Sequence, residues 1–174
     1  MASLFDTLQA GAQRAGVKAR TDASRKWFQN KVKDLAMPAR KTLLKDDALT
    51  GTERVIAGNM YMYFYDPKLK ESLPYYDRFP LTIMVEPAKG GFYGLNLHYL
   101  PPVVRAKALD AILGEGSLPA KYLAPARKHY LTKHVRSRFA LVDKPEWEIA
   151  TFLPMADWNK ASASTVYRDS RKML

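Results

Sequence analysis

Residues 59–65, Asn-Met-Tyr-Met-Tyr-Phe-Tyr, decide the fold class. Met60, Met62 and Phe64 alternate with Tyr61, Tyr63 and Tyr65, and a period of two sets them on opposite faces of a β-strand. Asp66-Pro67 then begins a turn. Leu81 to Val85, held between Pro80 and Pro87, reads as a second and mostly apolar strand. Lys89-Gly90-Gly91 has the composition of a hairpin turn, and Phe92 to Leu100 supplies a third strand. Pro101-Pro102 stops the sheet and opens a helix over 102–113, since proline is tolerated in a first turn. Val103, Ala106, Leu109, Ala111 and Ile112 form its buried side, and Gly114 closes it.

Working outward, residues 1–20 read as a weak helix or ordered arm around Leu4, Phe5 and Leu8. Ser24 caps a firmer helix over 24–36, with a stripe of Trp27, Phe28, Val32 and Leu35, and Pro38 ends it. Residues 39–54 lack a period and read as a linker. On the other flank, Ala124 to Val135 reads as a basic helix, Phe139 to Val142 as a short strand and Pro145 to Phe152 as a helix anchored by Trp147 and Ile149. From Ala156 the chain reads as a tail draped over a surface. The fold class is α+β: a small antiparallel sheet, open or curled into a partial barrel, flanked by helices, with extended termini. Residues 1–54 form a basic arm and helix, 55–155 the α+β core and 156–174 the tail.

The 174 residues are 47% hydrophobic, enough for one ordinary core. Cysteine is absent, which excludes disulfides, thiol catalysis and cysteine-based metal sites. No apolar run reaches membrane-spanning length and the first residues lack a signal-peptide layout, so the expectation is a soluble chain assembled inside a cell, with no membrane role. The formal charge is +11, unevenly distributed. Residues 1–54 hold 11 basic and 6 acidic side chains, 55–113 hold 6 and 5, and 114–174 hold 11 and 6. Arg14 to Lys45 contains ten basic residues against Asp22 and Asp34. Lys121 to Arg138 contains six and no acidic residue. Such density attracts polyanions, whether DNA phosphates or acidic neighbours in an assembly. The candidate contact residues are Arg20, Arg25, Lys26, Lys31 and Lys33 in the first window, and Arg127, Lys128, Lys133, Arg136 and Arg138 in the second.

Material for catalysis is poor. His129 and His134 are five apart, about 140° around a helix, which is not the pair of a metalloprotease. His98, inside the third strand, reads as a hydrogen-bonded structural residue. Asp66-Pro67-Lys68 with Asp46, Asp47 or Glu53 upstream has a local look of a metal-dependent nuclease, but Asp-Pro is a common turn opener. The reading is non-enzymatic, with no cofactor and no metal. Tyr61, Tyr63 and Tyr65, near Lys68 and Lys70, could stack bases. Packing or an assembly interface is the favoured reading of these three tyrosines, and Trp27 joins them as an interface candidate.

Two blocks carry a resemblance. Met60 to Leu81 reads MYMYFYDPKLKESLPYYDRFPL, and Gly91 to Leu113 reads GFYGLNLHYLPPVVRAKALDAIL. Together with Ala23-Ser-Arg-Lys-Trp-Phe28 and Ala150-Thr-Phe-Leu-Pro154, they resemble virion-assembly proteins of T4-like contractile-tailed bacteriophages, most nearly the DNA end protectors, over residues 23–170. The resemblance implies a structural virion protein, assembled in the host cytoplasm as part of an oligomeric structure. It would contact other phage proteins and, through phosphates and without sequence preference, double-stranded DNA. The competing reading is a baseplate or neck component with no DNA role, whose basic arms bind acidic proteins.

Overall fold

The computed structural model describes residues 3–173 apart from 115 and 117. Its helices are α1 (Leu4–Arg14), α2 (Asp22–Lys33), α3 (Arg40–Leu43), α4 (Pro102–Ile112), α5 (Trp147–Phe152) and α6 (Ala163–Lys172). Its strands are β1 (Thr50–Thr52), β2 (Met60–Met62), β3 (Tyr76–Asp77), β4 (Leu81–Ala88), β5 (Gly91–Asn96), β6 (Arg127–Leu131), β7 (Phe139–Val142) and β8 (Trp158–Asn159). The class is α+β, and the main sheet is antiparallel in the order β1-β7-β2-β4-β5-β6, with β3 and β8 pairing separately.

The β4–β5 hairpin turns at Lys89-Gly90, where Gly90 takes φ +78, a conformation open to glycine. A side chain at Gly91 would meet the neighbouring strand, since its Cβ would lie 1.8 Å from the carbonyl oxygen of Tyr130. Glycine there is what lets β6 pair closely, with Phe92 opposite Tyr130.

Both faces of β2 are buried. Met60 and Met62 join Leu81, Ile83 and Leu97 in the larger core, which the helices cover. Tyr61, Tyr63 and Tyr65 join Met84, Phe92, Tyr130 and Phe139 in a second core on the other face. In a flat sheet β2 and β6 would stand about 14 Å apart, three strand spacings. The rings of Tyr63 and Tyr130 are instead 5.6 Å apart, so the sheet curls around this aromatic cluster. Past β6 the chain returns through a 3-10 turn at Thr132–His134, and Val135 bridges Tyr65 beyond the end of β2. The sheet remains open, with β1 and β6 as its edges.

Helix α5 packs against α1, α2 and α4, and Phe5, Leu8, Phe28 and Ile149 share the larger core. Trp147 is fully buried and donates from Nε1 to the Val142 carbonyl at 2.8 Å, which ties α5 to β7. The α2 helix starts slightly earlier than its apolar stripe suggests. Thr21 is the N-cap, and Ser24 returns a hydrogen bond from the third helical position as a capping box.

Three stretches differ from their sequence readings. Ala124 to Val135 is not a helix: Pro125 lies in a 3-10 segment, Ala120–Ala126, and the basic residues after it form the edge strand β6. The linker 39–54 contains α3 and β1, and β1 pairs with β7 through Thr52 opposite Phe139. The tail carries β8 and α6, with Ser162 capping α6 by accepting from the Thr165 amide. Tyr167 on α6 is held by the buried Arg105, whose guanidinium donates to its hydroxyl at 3.1 Å.

Candidate nucleic-acid interface

The first basic window does not act as one surface. Lys26, Lys31 and Lys33 are exposed on α2. Arg25 is half-buried and ion-paired to Asp110 of α4, with Asp22 3.8 Å away, so it fastens two helices together. Arg20, at φ +57, donates its backbone N–H to Glu148 at 3.2 Å. Trp27 lies across α1, close enough that a Cβ on Gly11 would come within 2.9 Å of its ring, and it meets Phe28 edge-on at 5.1 Å. It is a helix-packing residue rather than an interface residue. Tyr61, Tyr63 and Tyr65 are likewise withdrawn into the second core at 2%, 0% and 7% exposure. Tyr63 donates to or accepts from Thr82 at 3.1 Å, and the Tyr65 hydroxyl accepts from the Leu131 amide at 2.8 Å. The interface reading of these tyrosines gives way to packing, because the curled sheet covers the face that the alternation left open.

The second window is split by the pleat of β6. Arg127 pairs with Glu86 at 2.7 Å and lies over the Tyr93 ring at 4.4 Å. Lys128, on the opposite face, is half-buried with its ammonium 4.0 Å above the Tyr99 ring. Lys133 is exposed, and its carbonyl accepts from Arg136 at 2.7 Å. Arg136 lies 3.8 Å from Asp66, and Arg138 lies 3.9 Å from Glu53.

Pairing of β1 with β7 brings the two windows together. Lys41 and Lys45, at the end of the first, line a groove of about 660 Å³ with Arg136 and Arg138 of the second. Lys41, Phe64 and Arg136 also line an adjoining recess of about 610 Å³, to which Lys70 and Arg78 contribute. Six cationic side chains therefore border one continuous depression whose carboxylates are Asp46, Asp47 and Asp66. Asp46 is engaged elsewhere, accepting from the Ser3 hydroxyl and from the Leu4 and Ala48 amides. The hydrogen bond from Lys70 holds the Asp66 carboxyl below the usual carboxylate range, with Lys70, Arg136 and His134 charges adding to it. The balance is cationic, and the cations sit on side chains long enough to follow a phosphate backbone. Sequence reasoning named Arg136 and Arg138 but missed Lys41, Lys45, Lys70 and Arg78 as contact residues. The density of the Arg14–Lys45 window was the one signal pointing at the first two.

The histidine reading needs one adjustment. His98 lies in a 3-10 turn, Leu97–Tyr99, and its Nδ1 is 2.7 Å from the buried carboxylate of Asp77. Asp77 also accepts from the Phe79 and Asp157 amides and from the Asn96 side chain. Burial raises the Asp77 pKa, but His98 and these donors outweigh it and keep the carboxyl below its ordinary range. Burial dominates at His98 and lowers its pKa, so the pair is an ionised carboxylate against a neutral imidazole. It sits under the β3–β8 pair and holds that corner together. Among the described residues no group of three or more His, Asp or Glu is placed to hold a metal ion. Nor is any described helix long and apolar enough to cross a membrane.

An open, curled α+β sheet with a cationic groove along its β1–β7–β2 side describes a protein whose surface chemistry suits a polyanion. The family model described as Phage T4 terminal DNA protecting protein matches residues 2–120, and the chain belongs to that family. No curated protein and no solved structure matches it. Lys41, Lys45, Lys70 and Arg78 fall inside the matched span, whereas Lys128, Arg136 and Arg138 lie beyond it.

Proposed function

We propose that this chain is a non-enzymatic virion protein that binds and shields the end of packaged DNA through the Lys41–Lys45–Arg136–Arg138 groove. One observation carries the reading. In a chain of the DNA-protecting family, the fold joins basic residues almost a hundred positions apart into a single cationic depression. Contacts there are to phosphates, so binding is independent of sequence and weakens steeply with salt. Lys26, Lys31 and Lys33 stand outside the groove on the exposed side of α2, and they are the residues we assign to acidic neighbours in the virion. Assembly would take place in the host cytoplasm, at the head–tail junction of a contractile-tailed particle. The test is binding to linear and to covalently closed circular DNA of one sequence across a salt series. Preference for the linear form with a steep salt slope supports the reading. Absence of binding at low salt would leave a baseplate or neck subunit whose basic residues contact protein.

A further inference from the structure

Beside the cationic groove lies a third recess, of about 560 Å³, that nothing above accounts for. It is joined to the groove, because Tyr65 and Tyr76 line both. Its volume falls within the roughly 300–1,000 Å³ of small-molecule sites. One wall is apolar and formed by Leu69, Leu73 and Pro74, and beside it stands the half-buried ring of Tyr75. That ring is fixed in place: it meets Trp158 edge-on at 6.2 Å, and its hydroxyl bonds to Asp169. The opposite side carries Lys68 and Lys128.

Lys128 is the unusual member. Burial alone lowers its ammonium pKa. It rests on the Tyr99 ring, and among the described residues no carboxylate or hydrogen-bond acceptor reaches it. A half-buried cation without a counter-charge is costly unless an anion completes it. The recess thus pairs a flat aromatic and apolar wall with an uncompensated positive charge. An unstacked nucleotide has the matching parts: a base with two π-faces and a phosphate.

We propose that this recess holds the terminal nucleotide of a DNA strand, its base against Tyr75 and its phosphate on Lys128 and Lys68. A base inside a duplex has both faces covered and cannot enter. Opening a base costs least where it is already unpaired or frayed, so such a recess would itself select ends over continuous duplex. The inference rests on the groove binding DNA and supplies what the groove lacks, a means of telling an end from the middle.

The experiment uses the full chain and a DNA hairpin with one open end, carrying the fluorescent base 2-aminopurine either at the terminal or at an internal position. A dumbbell closed at both ends is the control. The expected result is a change in terminal emission on binding, with internal emission unaltered. Lys128→Gln is expected to abolish that change and to lower affinity for the open hairpin about tenfold, with affinity for the dumbbell unchanged. Lys68→Gln, at an exposed site, should do the same in smaller measure, which separates loss of contact from loss of fold. If open ends are preferred but terminal emission stays flat, or if Lys128→Gln weakens hairpin and dumbbell equally, the recess is not the end site although the groove reading stands. If a free deoxynucleoside monophosphate binds the recess as tightly as the tethered terminal nucleotide, the site is not a DNA-end site. Failure to bind either DNA overturns the groove and the recess together.

Discussion

Replacing Lys41 and Arg138 by glutamine removes two of the four cations that line the larger part of the groove. Both are exposed, and the only ion pair lost is Arg138 with Glu53, at 3.9 Å between two largely solvated side chains, so the fold should be unaffected. If each of the four cations neutralises one phosphate, log K falls against log salt with a slope of about −3.6, and the double variant reduces it to about −1.8. Raising salt from about 50 to about 200 mM would then weaken the parent protein about a hundredfold and the variant about tenfold. The assay is fluorescence anisotropy with a labelled linear duplex at five or six salt concentrations. Lys26→Gln with Lys31→Gln, on α2, serves as the matched control because both lie outside the groove. An unchanged slope in the groove variant would refute the assignment, as would an equal drop in the α2 control.

Other expectations concern the fold that builds the groove. Asp77→Asn removes the charge that four donors converge on and should cost about 3 kcal/mol or more in urea unfolding. Because burial holds the folded His98 ring neutral, its contribution to stability is complete above the unfolded value near 6.5. That contribution is lost as acidification carries pH down toward the lower folded value. Burial pushes the Glu146 and Glu148 carboxyls up and works in the opposite direction, so the readout is the ring itself. Its NMR titration should fall below 6.5, and a midpoint at or above that value would contradict the pairing. Gly91→Ala would drive a Cβ into the Tyr130 carbonyl and should destabilise by about 2 kcal/mol, with faster amide exchange confined first to β6. Tyr63→Phe strands the Thr82 hydroxyl inside the aromatic core and should cost about 1 kcal/mol by thermal unfolding.

The sheet was legible because β2, β4 and β5 write their periodicity plainly, and the Pro101-Pro102 stop and the Lys89-Gly90 turn punctuate them. β6 was not, for a physical reason. It is an edge strand in which only Tyr130 is fully buried, so Arg-Lys-His-Tyr-Leu shows no apolar alternation and resembles a basic helix. Helix α6 hid for a similar cause, since Val166 and Ser170 are its only buried residues. Alternation in 59–65 identified two faces of a strand but carried no information about what covers each, and the second core forms only when the sheet curls. The groove depends on the most distant link of all. Lys41 and Lys45 reach Arg136 and Arg138 through the β1–β7 pairing, and no local pattern in either window encodes that contact.

The central claim is that the protein covers a DNA end. A linear duplex labelled at one terminus, mixed with the protein at low salt and digested with a double-strand-specific exonuclease, tests it most directly. Survival of the terminal nucleotides, lost when Lys41 and Arg138 are replaced by glutamine, is the result predicted. Digestion from the end at the same rate with and without protein, under conditions where the DNA is bound, would contradict it.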